Sequence, residues 1–210
     1  MSETYFQALP DSTGDKFRTV QKTISSQNVQ EEVVIADADM KRLITGKYIL
    51  STGIIAGSAT NPYTYASLFN PTGSGKVIAV KRWQPINWAI AAAVYIELAT
   101  WRITTASAGS LIAAANIPKK DITLDATSIA EVRTTGVTIS TPTQRVHSQL
   151  TSGAAAQTPY LGTELLFNPL QEIILRPSEG LALRQEGVGD TDFRICVIME
   201  WDEFTGEPRL

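Results

Sequence analysis

Apolar and polar residues alternate most regularly near the end of the chain, in the run FRICVIMEW. Every second position there is large and apolar, namely Phe193, Ile195, Val197, Met199 and Trp201. Arg194 and Glu200 fall between them. Because successive side chains of a β-strand point to opposite faces, this period of two predicts a half-buried strand.

Similar runs of β-branched and aromatic residues recur from about Leu43 onward, each bounded by turn-forming residues. They are RLITGKYILST, KVIAVKRW, AVYIELATWRITT, EVRTTGVTIS, TELLFN, EIILR and LALRQE. The last two flank Pro177-Ser178-Glu179-Gly180, where Pro presets a turn and Gly allows the chain to leave it. About eight to ten short strands at this spacing predict an all-β fold, either a sandwich, a jelly roll or a barrel.

Two stretches resemble helices by composition. INWAIAAAVYIELATW is rich in Ala, the best helix former, but its second half carries β-branched and aromatic residues, so we predict a strand there. SLIAAANIP fits a short helical turn, which Pro118 ends.

The first part of the chain, from Met1 to about Asp39, lacks the strand pattern. It is rich in Gln, Ser, Thr and Asp, with apolar residues scattered through it. Its run VQEEVVIADADM fits either a short helix or an edge strand, because periodicity does not separate the two at that length. We predict that residues 1–39 form an extended N-terminal arm, ordered by lying on another surface, and that residues 40–210 form one all-β domain.

Composition narrows the classes of function. The 210 residues carry a net charge of -3, with a pI near 5.3, which argues against a nucleic-acid partner held by charge alone. The sequence contains no run of about 18 apolar residues, so we expect no membrane span. Its first residues lack a basic leader and an apolar stretch, so we expect no signal peptide and folding in a reducing cytosol. The single cysteine, Cys196, allows no internal disulfide and is predicted to be buried.

The motif that most suggests chemistry is GSGK, within NPTGSGKVIAVKRW at residues 70–83. A phosphate-binding loop has the spacing G-x-x-x-x-G-K-[ST] and opens a helix. Counting back from Gly75 and Lys76, the first glycine is replaced by Asn70, and the hydroxyl position is Val77. Because the following residues have strand composition, we predict a turn that leads into a strand, and no nucleotide site.

Residues that carry most catalytic and metal chemistry are scarce. The one histidine, His147, lies in a polar stretch, where we expect a solvated surface residue. One His and one Cys cannot form a zinc site, and no G-x-S-x-G nucleophile motif is present. The acidic pairs Asp37/Asp39 and Asp190/Asp192 lack the further ligands of a calcium loop. We therefore predict no catalytic residue, no metal site and no cofactor.

Acidic and aromatic side chains are spread along the predicted strands. The acids Glu97, Glu164, Glu172 and Glu200 alternate with apolar neighbours, as solvent-facing positions do. The tryptophans are Trp83, Trp88, Trp101 and Trp201, which we expect in the core or in interfaces. A glycan hydrolase needs convergent carboxylates in a cleft, and the sequence singles out no such pair.

Small residues are abundant in AIAAAV, SAGSLIAAAN and TSGAAAQT. Small side chains let backbones approach closely, which suits a surface that packs against identical neighbours. The same composition also fits an ordinary surface loop.

The order of four segments resembles a layout in virion proteins of tailed bacteriophages. The segments are NPTGSGKVIAVKRW, WRITTASAGSLIAAANIPKKDITLDATSIAEVRTT, ILRPSEGLALRQEG and VIMEWDE, within residues 69–203. In the similar proteins an NPxGSGK turn precedes a strand, and a small-residue loop leads to a proline-lysine-aspartate segment. A PxEGLAL hairpin then precedes a last strand that ends in EWxE.

The resemblance implies a jelly-roll β-sandwich, commonly trimeric, that serves as a head decoration (cement) protein or as part of a fibre. It brings no catalytic residue. We therefore expect a non-enzymatic virion structural protein on the outer head surface, made in the host cytoplasm. Its expected partners are the major capsid protein and copies of itself, in a homotrimer. The alternative is a tail-fibre or receptor-binding component that recognises a host surface glycan or protein, and an enzyme acting on glycan is the third hypothesis.

Overall fold

The computed structural model describes residues 4–7, 18–24, 27–32, 43–89, 95–123, 127–142, 144–152, 160–161, 165–166 and 172–205. The chain divides into two compact units, Met1–Arg42 with Pro208–Leu210, and Leu43–Glu207. In both units the described residues form antiparallel β-sheets, which confirms the predicted all-β fold.

The first unit contains three strands that pair with one another. They are β1 (Thr4–Gln7), β2 (Arg18–Ile24) and β3 (Gln27–Glu32), in the order β1-β2-β3. The beginning of VQEEVVIADADM therefore lies in a strand, while residues 33–40 lie outside the described residues. That this segment gains order by lying on another surface stays a prediction.

The second unit begins with β4 (Leu43–Ser51). The further strands among its described residues are β5 (Ile55–Ala56), β6 (Tyr63–Asn70), β7 (Val77–Ala89), β8 (Tyr95–Ile103), β9 (Ala106–Ser107), β10 (Ser110–Ile112), β11 (Glu131–Thr134), β12 (Thr138–Ile139), β13 (Gln144–Ser152), β14 (Tyr160–Leu161), β15 (Leu165–Leu166), β16 (Ile173–Leu175), β17 (Glu179–Glu186) and β18 (Arg194–Thr205). One turn of 3₁₀ helix spans Ala114–Asn116, inside SLIAAANIP, where the sequence predicted a short helical turn. In the described part of the chain no helix has the length and apolar character needed to cross a membrane.

Eight of these strands are wound as a jelly roll. The first pairs with the last and the pairing continues inward, with β4 on β18, β6 on β17, β7 on β16 and β8 on β13. The pairs alternate between two sheets, ordered β10-β11-β6-β17-β8-β13 and β14-β7-β18-β4. We refer to these as the β6–β17 sheet and the β7–β18 sheet. Such nested pairing of eight antiparallel strands is the strand order of a jelly roll.

The two sheets pack face to face around one apolar core. The odd positions of β18 point into it, and Ile195, Val197, Met199 and Trp201 are fully buried. They meet inward-facing residues of the β6–β17 sheet, including Leu68, Leu98 and Leu181. Each such side chain contributes roughly 1.5–3 kcal/mol on burial, so the alternation of β18 helps to hold the two sheets together.

A smaller apolar cluster lies on the outer face of the β6–β17 sheet. Phe69, Ile103 and Ala182 are buried there, with Ala106 and Ile139 packed against them. The last two belong to a two-stranded ribbon in which β9 pairs with β12. The ribbon therefore covers part of this outer face.

Two jelly-roll strands were missed by the sequence prediction. Every residue of β6 from Thr64 to Asn70 is buried, so this strand lacks the alternation of a half-buried strand. The edge strand β13 has the polar sequence QRVHSQLTS and lacks an apolar face to signal it.

Candidate functional site

The GSGK motif forms the connection between β6 and β7. Its two glycines have φ angles of 77° and 65°, in the left-handed region that favours glycine. Asn70 is fully buried at the start of the turn, and its Nδ2 donates to the carbonyl oxygens of Lys76 (2.9 Å) and Leu175 (3.0 Å). Ser74 Oγ donates to Asn70 Oδ1 at 2.7 Å. The prediction of a turn that leads into a strand is confirmed.

The lysine of the motif is paired with a buried carboxylate. Lys76 Nζ lies 3.3 Å from Glu203 Oε2, and the two side chains are 18% and 0% exposed. Glu203 Oε1 accepts hydrogen bonds from Ser128 Oγ at 2.7 Å and from Ile129 N–H at 2.9 Å. A carboxylate is tolerated in the interior only when it is paired and hydrogen-bonded in this way. Burial, and secondarily the charge of Glu203, raises the pKa of Tyr48 to about 12.

A second turn, between β16 and β17, is bonded to the first. Ser178 Oγ lies 2.7 Å from Thr72 Oγ1, and Ser178 N–H donates to the Asn70 carbonyl at 2.8 Å. Ser178 has a φ of 70°, so the serine adopts the left-handed conformation and the predicted role of the glycine in leaving the turn is wrong. Gly180 allows close strand contact instead, since a Cβ there would lie 2.7 Å from the Leu68 carbonyl oxygen.

These contacts lie at one end of the sandwich, which we call the latched end. It comprises residues 70–76, 128–129 and 176–180 together with Glu203. Its lysine and carboxylate are engaged with each other, and its buried amide bonds the backbone. These bonds hold together three segments that are distant in the chain. The glycines, the serine and the lysine of the GSGK motif thus each have a role in the fold.

The lone histidine and the lone cysteine are both withdrawn from solvent. His147 lies in β13 and is half-buried, so the expectation of a solvated surface residue is wrong. Its Nε2 has no hydrogen-bond partner among the described residues, and burial lowers the pKa of its imidazole. Cys196 is buried, as predicted, with Sγ 3.2 Å from Ser51 Oγ.

Of the two acidic pairs, the second shapes a turn before β18. Asp190 Oδ1 accepts the N–H of Asp192 at 2.8 Å, which is ordinary turn chemistry. The pair Asp37/Asp39 lies outside the described residues. Within the described ranges, no group of three or more His, Cys, Asp or Glu side chains is arranged to hold a metal ion.

A groove of about 530 Å³ lies on the outer face of the β7–β18 sheet. It is lined by Lys47, Lys81, Lys120, Asp121, Ile122, Glu200 and Asp202. Lys120 pairs with Glu200, and Lys81 pairs with Glu172 and, at 3.6 Å, with Asp202. Glu172 is only 2% exposed beneath that lysine, so the solvent-facing position expected for it is wrong.

One carboxyl group in the groove is perturbed. Burial raises the pKa of Asp202, while the positive charges of Lys81 and Lys47 oppose that rise. General acid catalysis needs a carboxyl group that is protonated and free to approach a substrate. Here the lysines neutralise the strand acids, so the groove is a charge-paired surface.

The tryptophans occupy three kinds of environment. Trp83 and Trp201 are fully buried in the core, and Trp201 stacks on Tyr48 with 5.6 Å between ring centroids. Trp88 is 48% exposed near the end of β7. Trp101 is half-buried on the outer face of the β6–β17 sheet.

Trp101 is held in a network of ionic side chains. The guanidinium carbons of Arg145 and Arg184 lie 4.8 and 5.3 Å from the centroid of its ring. Its Nε1–H donates to Glu186 at 2.8 Å, and Arg145 pairs with Glu97. Two cations therefore already interact with the indole ring.

The opposite end of the sandwich is apolar. Residues 52–62 and 187–193 meet there, since Gly57 N–H donates to the Phe193 carbonyl at 2.6 Å. Three large apolar side chains are exposed at this end: Ile54 (55%), Trp88 (48%) and Val188 (52%). We call residues 52–62, residues 187–193 and Trp88 the apolar end.

Among the described residues, Lys76 is paired with Glu203, and the groove acids Glu200 and Glu172 are paired with lysines. Contact surfaces were expected from the sequence only in general terms, since Trp88, Ile54 and Val188 are far apart in the chain. Comparisons with known protein families, with curated proteins and with solved structures find no match for this chain.

Proposed function

We propose that this protein is a non-enzymatic structural protein of a bacteriophage virion. It acts as a decoration (cement) protein that binds the major capsid protein and neighbouring copies on the outer surface of the head. The observation that carries the proposal is the latched end, where the segments that resemble tailed-phage virion proteins interlock to close a jelly roll.

The chemistry of these segments supports a scaffold role. The NPTGSGK and RPSEG segments are about 100 residues apart in sequence, yet Ser178 bonds both Thr72 and Asn70. The lysine of the first segment is neutralised by Glu203. Both segments therefore contribute to closing the fold, which is compatible with a protein whose function is shape and contact.

Such a protein works by burying surface across subunit boundaries. Each contact is modest, but many copies on one shell make the contacts additive. The N-terminal arm, residues 1–39, would reach the major capsid protein or the next oligomer. Its ordering would cost conformational entropy, which the area that it covers offsets.

The test is binding to heads of the same virus that were assembled without this protein. We expect saturable binding to DNA-expanded heads, and a higher temperature of DNA release from the decorated heads. A variant that lacks residues 1–39 should form the oligomer but bind heads more weakly. An oligomer that ignores expanded heads contradicts the proposal.

The alternative is a tail-fibre or receptor-binding role, which Trp101 favours. Trp and Arg are the residue types most enriched at binding hot spots, and Trp101 lies beside Arg145 and Arg184 on an outer face. Under this alternative the labelled protein adsorbs to host cells, and Trp101→Ala abolishes adsorption. Under the decoration role it ignores host cells.

A further inference from the structure

We propose that protonation of His147 releases strand β13 from the edge of the β6–β17 sheet in mild acid. The strand is held in place near neutral pH and is freed as the pH falls. The inference goes beyond the proposed function, since it concerns the sandwich itself, whether or not the protein belongs to a virion. It follows from the place of His147 in the sheet, from one of its ring nitrogens, and from the charged groups nearby.

His147 lies on the core-facing side of β13. It pairs with Thr100 of β8, and directly paired residues of antiparallel strands have their side chains on the same face. Thr100 is buried, and its Oγ1 accepts the Nε1–H of the core residue Trp83 at 3.0 Å. The preceding residue, Val146, packs against the same core. The imidazole is therefore partly enclosed at the margin of the core.

The ring nitrogen Nε2 is suited to the neutral imidazole only. It is shielded from solvent and has no hydrogen-bond partner within the described ranges. In the neutral ring Nε2 can be the nitrogen that carries no proton, whereas the imidazolium carries a proton on both nitrogens. Protonation therefore places a charged N–H in an enclosed position without an acceptor, which is costly. Burial accordingly lowers the pKa of His147 below its ordinary 6.5.

The charged residue on the same side of the neighbouring strand is a cation. Arg102 lies two positions after Thr100 in β8 and pairs with the buried Leu181. Its guanidinium donates to the carbonyl oxygen of Ile174 at 3.3 Å and lies 3.9 Å from a carboxylate oxygen of Glu179. A positive group on this side gives an imidazolium no stabilisation.

The carboxylates closest to His147 in the sheet lie on its outer face. Glu97 pairs with Arg145 and also accepts the hydroxyl of Ser148 at 2.8 Å. Glu186 accepts the indole N–H of Trp101. These carboxylates already have partners and are separated from the imidazole by the sheet.

Across the core, the charged residues of β7 next to Trp83 are engaged elsewhere. Lys81 lines the outer groove and pairs with Glu172. Arg82 donates to the amide oxygen of Gln84. Neither residue offers a negative charge to His147.

Strand β13 is placed where such a cost is felt locally. It lies at the edge of its sheet, and in the described part of the chain its pairing partner is β8. A bulge between Arg145 and His147 interrupts that pairing. Because an edge strand is bonded on one side, it opens at a lower cost than a central strand.

The direction of the effect follows from the lowered pKa. Above pH 6.5 the imidazole is neutral whether β13 is closed or released, so the closed strand has its full stability. As the pH falls below 6.5, the released strand takes up the proton first, and the closed strand loses stability until the pH has passed its lowered pKa. The ratio of closed to released strand falls by about tenfold for each pH unit between the two pKa values.

The test uses the single histidine of the chain, because every histidine signal in an NMR titration of the full protein belongs to His147. We expect the folded protein to titrate below the pH at which the same signal titrates in urea. Amide exchange should show protection of β13 falling between about pH 7.5 and pH 5, while β18, inside the other sheet, keeps its protection. The neutral variant His147→Gln should keep β13 protected at both pH values.

Each other result counts against the proposal. A folded His147 that titrates at or above the value in urea overturns it, because the ring would then have a favourable partner when charged. So does protection of β13 that is unchanged below the measured pKa, or that still falls in His147→Gln. If β18 loses protection together with β13, the domain unfolds as a whole and local release is wrong. If His147→Gln does not fold, the titration and the exchange of the wild type decide the question.

Discussion

The two ends of the sandwich each hold a buried asparagine, and the two side chains are bonded differently. At the latched end Asn70 is fully buried and makes three hydrogen bonds through its amide. Near the apolar end Asn87 is 2% exposed, and neither its Oδ1 nor its Nδ2 has a partner among the described residues. The two carboxylates show a similar difference. Both oxygens of Glu203 have a hydrogen-bond or ion-pair partner, while Asp190 Oδ2 has none among the described residues.

The Asn70 amide therefore helps to fasten the latched end, while the Asn87 amide has no such role among the described residues. Leaving a buried polar group unsatisfied costs roughly 1–3 kcal/mol, whereas a typical hydrogen bond contributes about 0.5–1.5 kcal/mol to stability. The latched end therefore stabilises the closed sandwich. The apolar end is fastened as well, since the buried Gln185 donates from Nε2 to the carbonyl oxygen of Val188 at 2.9 Å.

The largest expected effect is that of Glu203→Gln at the latched end. Glutamine has the shape of glutamate but lacks the negative charge that pairs with Lys76 and accepts hydrogen bonds from Ser128 and Ile129. We therefore expect a loss of about 3 kcal/mol in the free energy of unfolding. Asp190→Asn is the matched change at the other end and should cost less than about 1 kcal/mol, because its Oδ1 contact survives. Urea denaturation measures both. Equal losses contradict the contrast.

The asparagines give the next largest difference. Asn70→Leu leaves the carbonyl oxygens of Lys76 and Leu175 without donors, and we expect a loss of roughly 2–3 kcal/mol. Asn87→Leu replaces an amide that lacks partners by an apolar group of similar size, so its effect should lie between zero and a gain of about 1 kcal/mol. A loss at Asn87 comparable to that at Asn70 would mean that the amide is bonded after all.

Alkaline pH should expose the difference between two tyrosines. Tyr48 in β4 pairs with Trp201, two positions before Glu203 in β18, and its pKa is raised to about 12 from the ordinary 10.0 by burial and by the charge of Glu203. The unfolded chain therefore loses this proton first, so the stability is complete below pH 10 and falls as the pH rises toward 12, by on the order of 2 kcal/mol. Tyr48→Phe should flatten this fall more than Tyr63→Phe, because burial alone raises the pKa of Tyr63. Chemical denaturation between about pH 8 and pH 11 measures the slopes.

The smallest effects are expected from exposed side chains at the apolar end. Val188→Ser and Ile54→Ser should each change the free energy of unfolding of the monomer by less than about 0.5 kcal/mol, since both side chains are more than half exposed. Urea denaturation at a low protein concentration, where the chain is monomeric, measures the change. A loss above about 1 kcal/mol would mean that these residues support the fold itself.

The sequence predicted the strands that have one buried face. FRICVIMEW alternates and became β18, while LALRQE became β17, in which Leu181, Ala182 and Leu183 are all buried. It missed β6, which is buried on both faces, and β13, which is polar. Periodicity reports a difference between two faces of a strand, so it gives no signal where both faces have the same surroundings.

The candidate surfaces were less predictable than the strands. The GSGK segment was correctly predicted to be a turn, because its spacing and the β-branched residues after it are local properties. That Lys76 pairs with Glu203, 127 residues later, has no local signal. The same holds for the meeting of Trp88, Ile54 and Val188.

By itself the sequence determined the all-β character, the strands with a single buried face and the turn at GSGK, because each depends on residues a few positions apart. Only the tertiary structure decided which carboxylate neutralises the lysine, which Asn is satisfied, and where Trp88, Ile54 and Val188 lie exposed. Those outcomes depend on the nested pairing of first strand with last, which brings together residues that are distant in the chain.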